Sequence, residues 1–276
     1  MQKFKSFVKQ WYILFFLVIT YIPLVLIIMI SFNGVSSRGN IDTNFGVPTF
    51  VNYLTLFTDN QFVTALINSL LLGLIVTPVV VIIATVTCFG IWRAKKMQTQ
   101  SVLLASNLTI VSPDAITGIS LLVMFSITLI PLGVDLGFFT VILAHISFGI
   151  PYAIVVIYPR MSKMNINIIY AAYDMGYGKT KTFFKVIIPY LMPAIIGGAT
   201  IAFSMSLDDF VITNLVNGSF QTIGTAIYST RKGIKAWVIT FGAIVILITL
   251  VATVILSIKK SIQIKLKQKK KGGFRY

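Results

Sequence analysis

Every acid in this chain is an aspartate: Asp42, Asp59, Asp114, Asp135, Asp174, Asp208 and Asp209, with no glutamate anywhere. His145 is the single histidine and Cys88 the single cysteine. A structural zinc takes four Cys or His ligands, and a thiol nucleophile needs a base beside it. One of each, inside separate apolar stretches, reads as packing, so no metal and no catalytic residue is expected. The full spacing of a phosphate-cradling loop, Gly-x4-Gly-Lys-Ser/Thr, is absent, as is a GxGxxG dinucleotide loop, so no cofactor is expected and any nucleotide energy must come from another polypeptide. What remains is three aspartates set in apolar sequence. An aspartate at the centre of a bilayer costs about 2.5 to 3.5 kcal/mol, and such residues face a cavity or a partner. Asp114 follows Ser112 and Pro113, with Gly118 four residues later, the pattern of a locally broken helix lining a pathway. The plainer alternative is a structural acid satisfied by hydroxyls such as Thr117. Asp208 and Asp209 interrupt Phe203, Met205, Leu207, Phe210, Val211 and Ile212, which argues against an ordinary solvated loop. Carboxylates with aromatic rings nearby, such as Phe148, Tyr152 and Tyr228, suit a multiply charged cation by charge and by cation–π contact.

The elements that must position these residues are membrane helices. The 276 residues are 57% hydrophobic and only 11% charged, and the mean hydropathy is +0.91. A soluble domain carries about 25% charged residues. The balance excludes a disordered chain, a secreted disulfide scaffold and a water-exposed nucleic-acid binder, despite a net charge of +16 and a pI near 10.0. A hydrocarbon core about 30 Å thick takes roughly 20 apolar residues in helical form, because a helix satisfies its own backbone groups. Six stretches qualify, approximately 11–30, 62–92, 101–130, 138–158, 183–205 and 237–258. Nothing after the first resembles a signal cleavage site, so it is expected to stay as a helix. The expectation is one all-α transmembrane domain over 1–276, with a basic tail at 259–276. Asp114 lies thirteen residues past Ser101, about 20 Å along a helix and near mid-membrane.

Lys and Arg in short loops stay cytoplasmic. Six spans put both termini on one side. Lys3, Lys5 and Lys9, the loop with Arg93, Lys95 and Lys96, the loop with Arg160, Lys163, Lys179, Lys181 and Lys185, and the tail bases through Arg275 then share that side. It holds 19 of the 23 basic residues, and only Arg38, Arg231, Lys232 and Lys235 fall opposite. The charge is therefore a topology signal, with the tail also suited to anionic lipid.

Between spans four and five, the segment 160–183 is longer than a turn needs. Asn165 or Asn167 is placed to cap a helix whose Ile168, Ala171, Ala172 and Met175 recur at three- and four-residue spacing, and Gly176 and Gly178 would end it. Pro189 and Pro193 stand early in span five, where each removes a helix hydrogen bond. A short amphipathic helix here suits a groove on another protein.

At these residues the sequence resembles the inner-membrane permeases of ABC importers, whose coupling loop reads E-A-A, three residues, Gly, and then a proline further on. Tyr170, Ala171, Ala172, Asp174, Gly176 and Pro189 fall on that pattern, with Tyr170 where the family has glutamate. Other segments resemble its spermidine/putrescine, PotC-type branch: Phe50 to Arg93 with NYLTLF and ALINS, SPDAITGISLL from Ser112 to Leu122, SMSLDDFVITNLVNG from Ser204 to Gly218, and IYSTRKGI from Ile227 to Ile234. Trp237 stands where that branch often carries a second glutamate. The resemblance implies a non-catalytic subunit with the six-helix type I permease fold and a coupling helix at Tyr170–Gly176. It implies a multi-pass place in a bacterial cell membrane. The partners implied are a second, homologous permease subunit, two cytoplasmic ATPase subunits and an extracytoplasmic polyamine-binding protein. Asp114, Asp208 and Asp209 would line the translocation path for the polyamine. The alternatives are a permease of the same family for thiamine, iron or another organic cation, and an autonomous carrier or membrane enzyme. No repeat relates the two halves, which weighs against the carrier.

Overall fold

The computed structural model describes residues 2–36, 39–42, 44, 46–230 and 233–272. Arg38, Arg231, Lys232 and Arg275 from the charge balance lie outside the described residues, as do the side chains of Lys3, Lys5, Lys9 and the lysines from Lys265 onward. The helices are α1 (Gln2–Ile30), α2 (Val51–Thr55), α3 (Asn60–Trp92), α4 (Lys96–Val111), α5 (Asp114–Thr128), α6 (Phe138–Ser162), α7 (Asn167–Asp174), α8 (Lys179–Thr182), α9 (Ile188–Asp208), α10 (Val211–Val216), α11 (Ile223–Ser229) and α12 (Ala236–Gly272). Two isolated bridges, Val35 with Ile41 and Asn40 with Lys235, are the extended pairing among the described residues. Five helical stretches there are long and apolar enough to cross a membrane: Asn60–Trp92, Asp114–Leu132, Phe138–Ser162, Lys179–Asp208 and Ala236–Gln263. Leu14–Ile30 is a shorter apolar helix. The protein is an all-α, multi-pass membrane protein.

Three expected boundaries change. The stretch 101–130 is two helices, because Pro113 has no N–H to give Thr109 and drives Ser112 out of the helical region, to φ −65° and ψ 134°. Span five runs on to Asp208, so the acid pair ends a helix rather than following one. The tail 259–276 continues α12 as helix to Gly272.

The chain divides into two compact units, 1–62 with 230–276, and 63–229. In the first, α1 packs on α12 and α2 on α12. The Asn52 amide donates to the carbonyls of Ser31 (3.0 Å) and Asn33 (2.8 Å), and the Ser31 and Tyr53 hydroxyls are 2.6 Å apart. Buried Trp237 lies against Phe62, ring centroids 5.7 Å apart. A buried aromatic thus occupies the position where the resemblance places an acid.

In the second unit α6 is the central post. Its buried residues include Val141, Ala144, His145, Phe148, Gly149, Ala153, Ile154, Ile157 and Met161, and its largest contact is with α9. Glycines let neighbours close on it: a Cβ on Gly149 would stand 3.0 Å from Val80 of α3, and one on Gly198 of α9 would stand 3.3 Å from Ile157. Cys88 is buried, as expected of a packing residue. The loop after α10 is tied to α3 by Asn68, which donates to the Gln221 carbonyl at 2.8 Å, and by the Ser69 hydroxyl, which accepts from the Ile223 N–H at 2.8 Å. α10 packs along α5 because Gly118 is bare there: a Cβ would come within 2.7 Å of Leu215 Cδ1 and 3.2 Å of the Ile212 Cα. Gly118→Val is therefore expected to force α5 off α10, with an overpacking cost of about 1–3 kcal/mol. Thermal stability in detergent, followed by size exclusion after heating, measures it.

Candidate functional site

The two helix breaks meet. A cavity of about 270 Å³ is lined by Thr109, Asp114, Phe148, Tyr152, Met205, Asp208, Asp209 and Phe210 among others. It gathers the end of α4, the start of α5, the end of α9 and the start of α10 around one face of α6. Phe148 and Tyr152 are the eleventh and fifteenth residues of the 25-residue α6, about 15 and 21 Å from its first residue. The cavity therefore sits half-way along a membrane-length helix. All three candidate aspartates reach it, although Asp114 is more than 90 residues from the acid pair in the chain.

The three carboxylates differ in what holds them. Asp114 is the first residue of α5, set by a Pro113 carbonyl that already accepts from the Ile116 (3.0 Å) and Thr117 (3.2 Å) N–H groups. Its side chain is exposed, at the positive end of the helix dipole. Asp208 is the last residue of α9 and is also exposed. Asp209 is extended, at φ −64° and ψ 125°, and caps α10. Its Oδ1 accepts from the Ile212 N–H at 3.3 Å, and its Oδ2 accepts from the Thr213 N–H at 2.8 Å and from the Thr213 hydroxyl at 2.6 Å. Its side chain is only 9% exposed. Two carboxylates are thus open to the cavity, and the third is committed to the break itself.

Of the aromatic residues expected near the acids, Phe148 and Tyr152 line the cavity. Tyr228 instead stacks on Phe210 with ring centroids 4.1 Å apart, and Phe210 takes the lining place. His145, read from the sequence as packing, is buried, but beside the acids: its Nε2 is 3.9 Å from Asp209 Oδ2. A lone histidine seven residues before an aromatic at Tyr152 gives no signal of this in the sequence. Among the described residues no cluster of His, Cys and Asp is placed to hold a metal.

The second candidate site is the segment after α6. The Asn165 side chain accepts from the Asn167 N–H at 3.0 Å, and α7 follows. Its C-terminus is a Schellman motif: Gly176 N–H to the Tyr173 carbonyl at 2.8 Å, and Tyr177 N–H to the Ala172 carbonyl at 3.0 Å. Gly176 has φ +80°, and nothing lies within 4 Å of a Cβ built there. Its backbone angle calls for glycine. Ala172 and Ile169 form the buried face of α7. The outward face carries Ile168, Tyr170, Ala171, Asp174 and Met175, with Tyr170 54% exposed. Beyond it, Phe183–Ile187 form one π-helical turn just before Pro189, whose missing N–H leaves the Lys185 carbonyl without its helix partner. Pro189 is exposed and shapes this turn. Arg160 Nε donates to the Tyr190 carbonyl at 2.8 Å and its guanidinium lies 5.0 Å over the Tyr190 ring, which fixes α9 to the end of α6.

No protein-family model matches the chain. A spermidine/putrescine transport system permease protein PotC homolog from Mycoplasma genitalium is 42% identical over 271 residues, 96% of this chain and 95% of that protein. The chain belongs to the PotC-type permease family. The PotC protein of Escherichia coli K12 is 30% identical over 236 residues, 85% of this chain and 86% of that one. The fold agrees. A chain of a bacterial ABC transporter involved in the import of the acidic polysaccharide alginate superposes with a TM-score of 0.66 at 13% identity, over 94% of this chain and 96% of its own. The all-α architecture expected from the sequence is therefore that of ABC importer permeases.

At Gly176 a β-branched residue would meet a left-handed backbone at about 1–2 kcal/mol. Gly176→Val should expose the Gly176 and Tyr177 amides to faster hydrogen exchange, whereas Gly176→Asn, which tolerates that angle, should leave them protected.

Proposed function

We propose that this PotC-type permease forms part of the path by which an ATP-driven importer carries polyamines, spermidine or putrescine, into a bacterial cell. The observation that carries the cargo reading is the cavity half-way along α6 with Asp114 and Asp208 open to it and Phe148 and Tyr152 beside them. Two separated carboxylates between aromatic faces match a linear amine with two or more charges, through ion pairing and cation–π contact. Contacts of this kind are weak enough to release the cargo, as transport requires. The family relatives are named for spermidine and putrescine, which supports the same cargo. Iron would call for metal ligands, and among the described residues no metal-ligand cluster is present.

The chain supplies no nucleotide loop, so the work is done by two cytoplasmic ATPase subunits, with a second permease subunit and an extracytoplasmic polyamine-binding protein. Counting Leu14–Ile30 as the first span gives six, and the basic loops then set both termini in the cytoplasm. In this topology α7 is the coupling helix. Its exposed Ile168, Tyr170, Ala171, Asp174 and Met175 meet the ATPase, while Ile169 and Ala172 join it to the permease body. Tyr170 offers a hydroxyl and a ring where the family has a carboxylate, so the contact is a hydrogen bond and apolar packing in place of an ion pair. Gly176 and the π turn before Pro189 join the coupling helix to α9, which ends at Asp208. From Lys179 a continuous helical run, Lys179–Asp208, leads from the glycine turn after α7 to the cavity.

With the whole complex in proteoliposomes, Asp114→Asn and Asp208→Asn are each expected to lower polyamine uptake by about tenfold, the effect of losing one charge-assisted contact of roughly 1.5 kcal/mol. Unchanged uptake by both variants would remove the path reading. Gly176→Val should leave the subunit inserted and ATP hydrolysed while uptake is lost, and wild-type coupling in that variant would count against α7 as the docking element.

A further inference from the structure

The one histidine sits where hydrogens can be counted. His145 Nδ1 is 2.8 Å from the Val141 carbonyl, four residues back in α6. A carbonyl only accepts, so Nδ1 carries a hydrogen. In a neutral imidazole Nε2 is then a bare lone pair. It faces two oxygens, Thr213 Oγ1 at 3.5 Å and Asp209 Oδ2 at 3.9 Å. Thr213 has one hydroxyl hydrogen, and at 2.6 Å it is given to Asp209 Oδ2, the same oxygen that accepts the Thr213 N–H. Nε2 is therefore turned toward acceptors that have nothing to donate to it. His145 is 1% exposed, and the Phe148 ring lies 5.0 Å from its own, so bulk water does not fill the gap.

One added proton resolves the conflict. On Nε2 it points at Thr213 Oγ1 and Asp209 Oδ2 together, and it makes the pair electrically neutral where a lone buried charge is costly. We infer that the His145–Asp209 pair holds one proton beyond the hydrogen on Nδ1, and that this shared proton latches the α9–α10 break onto α6. His145 is thus a positioning residue for the path. It fixes Asp209, Asp209 caps α10, and the first residues of α10, Val211 and Ile212, line the cavity with Asp114. The other titratable groups facing the pair are Asp114 from α5, Tyr152 from α6 and Asp208 from α9. No basic side chain lines that cavity. The proton is bound at low pH and lost as pH rises. Its loss sets an imidazole lone pair against a carboxylate and loosens the cap.

This rests on the cavity being the transport path, and the test separates the two. Polyamine uptake by the intact complex is measured from about pH 6 to about pH 9, with ATP and binding protein saturating, for wild type, His145→Gln and Asp209→Asn. In the Gln variant the amide N–H supplies a permanent donor; in the Asn variant the amide nitrogen takes the place of Oδ2 and donates to the neutral imidazole, at the loss of the Thr213 N–H bond, a cost that is the same at every pH. Neither needs the extra proton. The ratio of either variant to wild type should be level at low pH and then climb by up to about tenfold per pH unit, the slope of a single lost proton. A ratio that stays level across the range for both variants overturns the inference. Asp209→Asn gives the same readout if His145→Gln fails to assemble. Should Asp114→Asn and Asp208→Asn lower uptake while the ratios stay level, the proton fails and the path stands. Should the ratios climb while those two variants transport normally, the path reading fails alone.

Discussion

In hydrocarbon an unpaired backbone group costs several kcal/mol, so a chain can leave the helix inside the membrane only where something else takes its hydrogen bonds. The architecture around the cavity follows from how this chain meets that constraint twice. At Ser112 and Pro113 the proline removes an N–H outright, and the Pro113 carbonyl is used by the first turn of α5. At Asp209 a side chain does the work, with both carboxylate oxygens spent on the first turn of α10. Each break turns a helix N-terminus toward the interior, and each brings an aspartate with it.

The breaks would be separate features without α6. Its buried length gives α3, α4, α9 and α10 a common surface, and the bare positions Gly149, Gly198 and Gly118 set how closely those helices approach. Close packing there converts two interruptions far apart in sequence into one cavity at a shared depth. The same packing explains why the acids are unequal. Asp114 and Asp208 end their helices facing open space, whereas Asp209 is drawn under α10 by Thr213 and backed by His145.

At the other end of α9 the logic is conformational. Gly176 holds a positive φ that closes α7, and a π-helical turn absorbs the hydrogen bond that Pro189 cannot make. α7 is amphipathic in an unexpected sense: the small residue Ala172 belongs to the inner seam, and the outer face offers larger groups, Tyr170 and Met175 among them. After the Gly176 turn the helical run Lys179–Asp208 leads to the cavity.

Hydropathy was enough to read an all-α, multi-pass membrane protein, because it is summed along the chain and survives without knowledge of packing. Pro113 and Gly176 were legible for a similar reason, since proline and glycine act on their own backbone. The short helix after α6 was recognisable by its residues, but which of them face outward was not: Ala171 and Ala172 are adjacent and identical in type, and only the neighbouring helices decide that Ala172 is inside. Asp208 and Asp209, also adjacent and identical in type, pose the same problem, and there the position of Thr213 and His145 settles which acid is spent and which is free. Sequence determines which groups a helix carries and where it must break; the burial and the partner of each group arise between helices, and so only the tertiary structure could assign them.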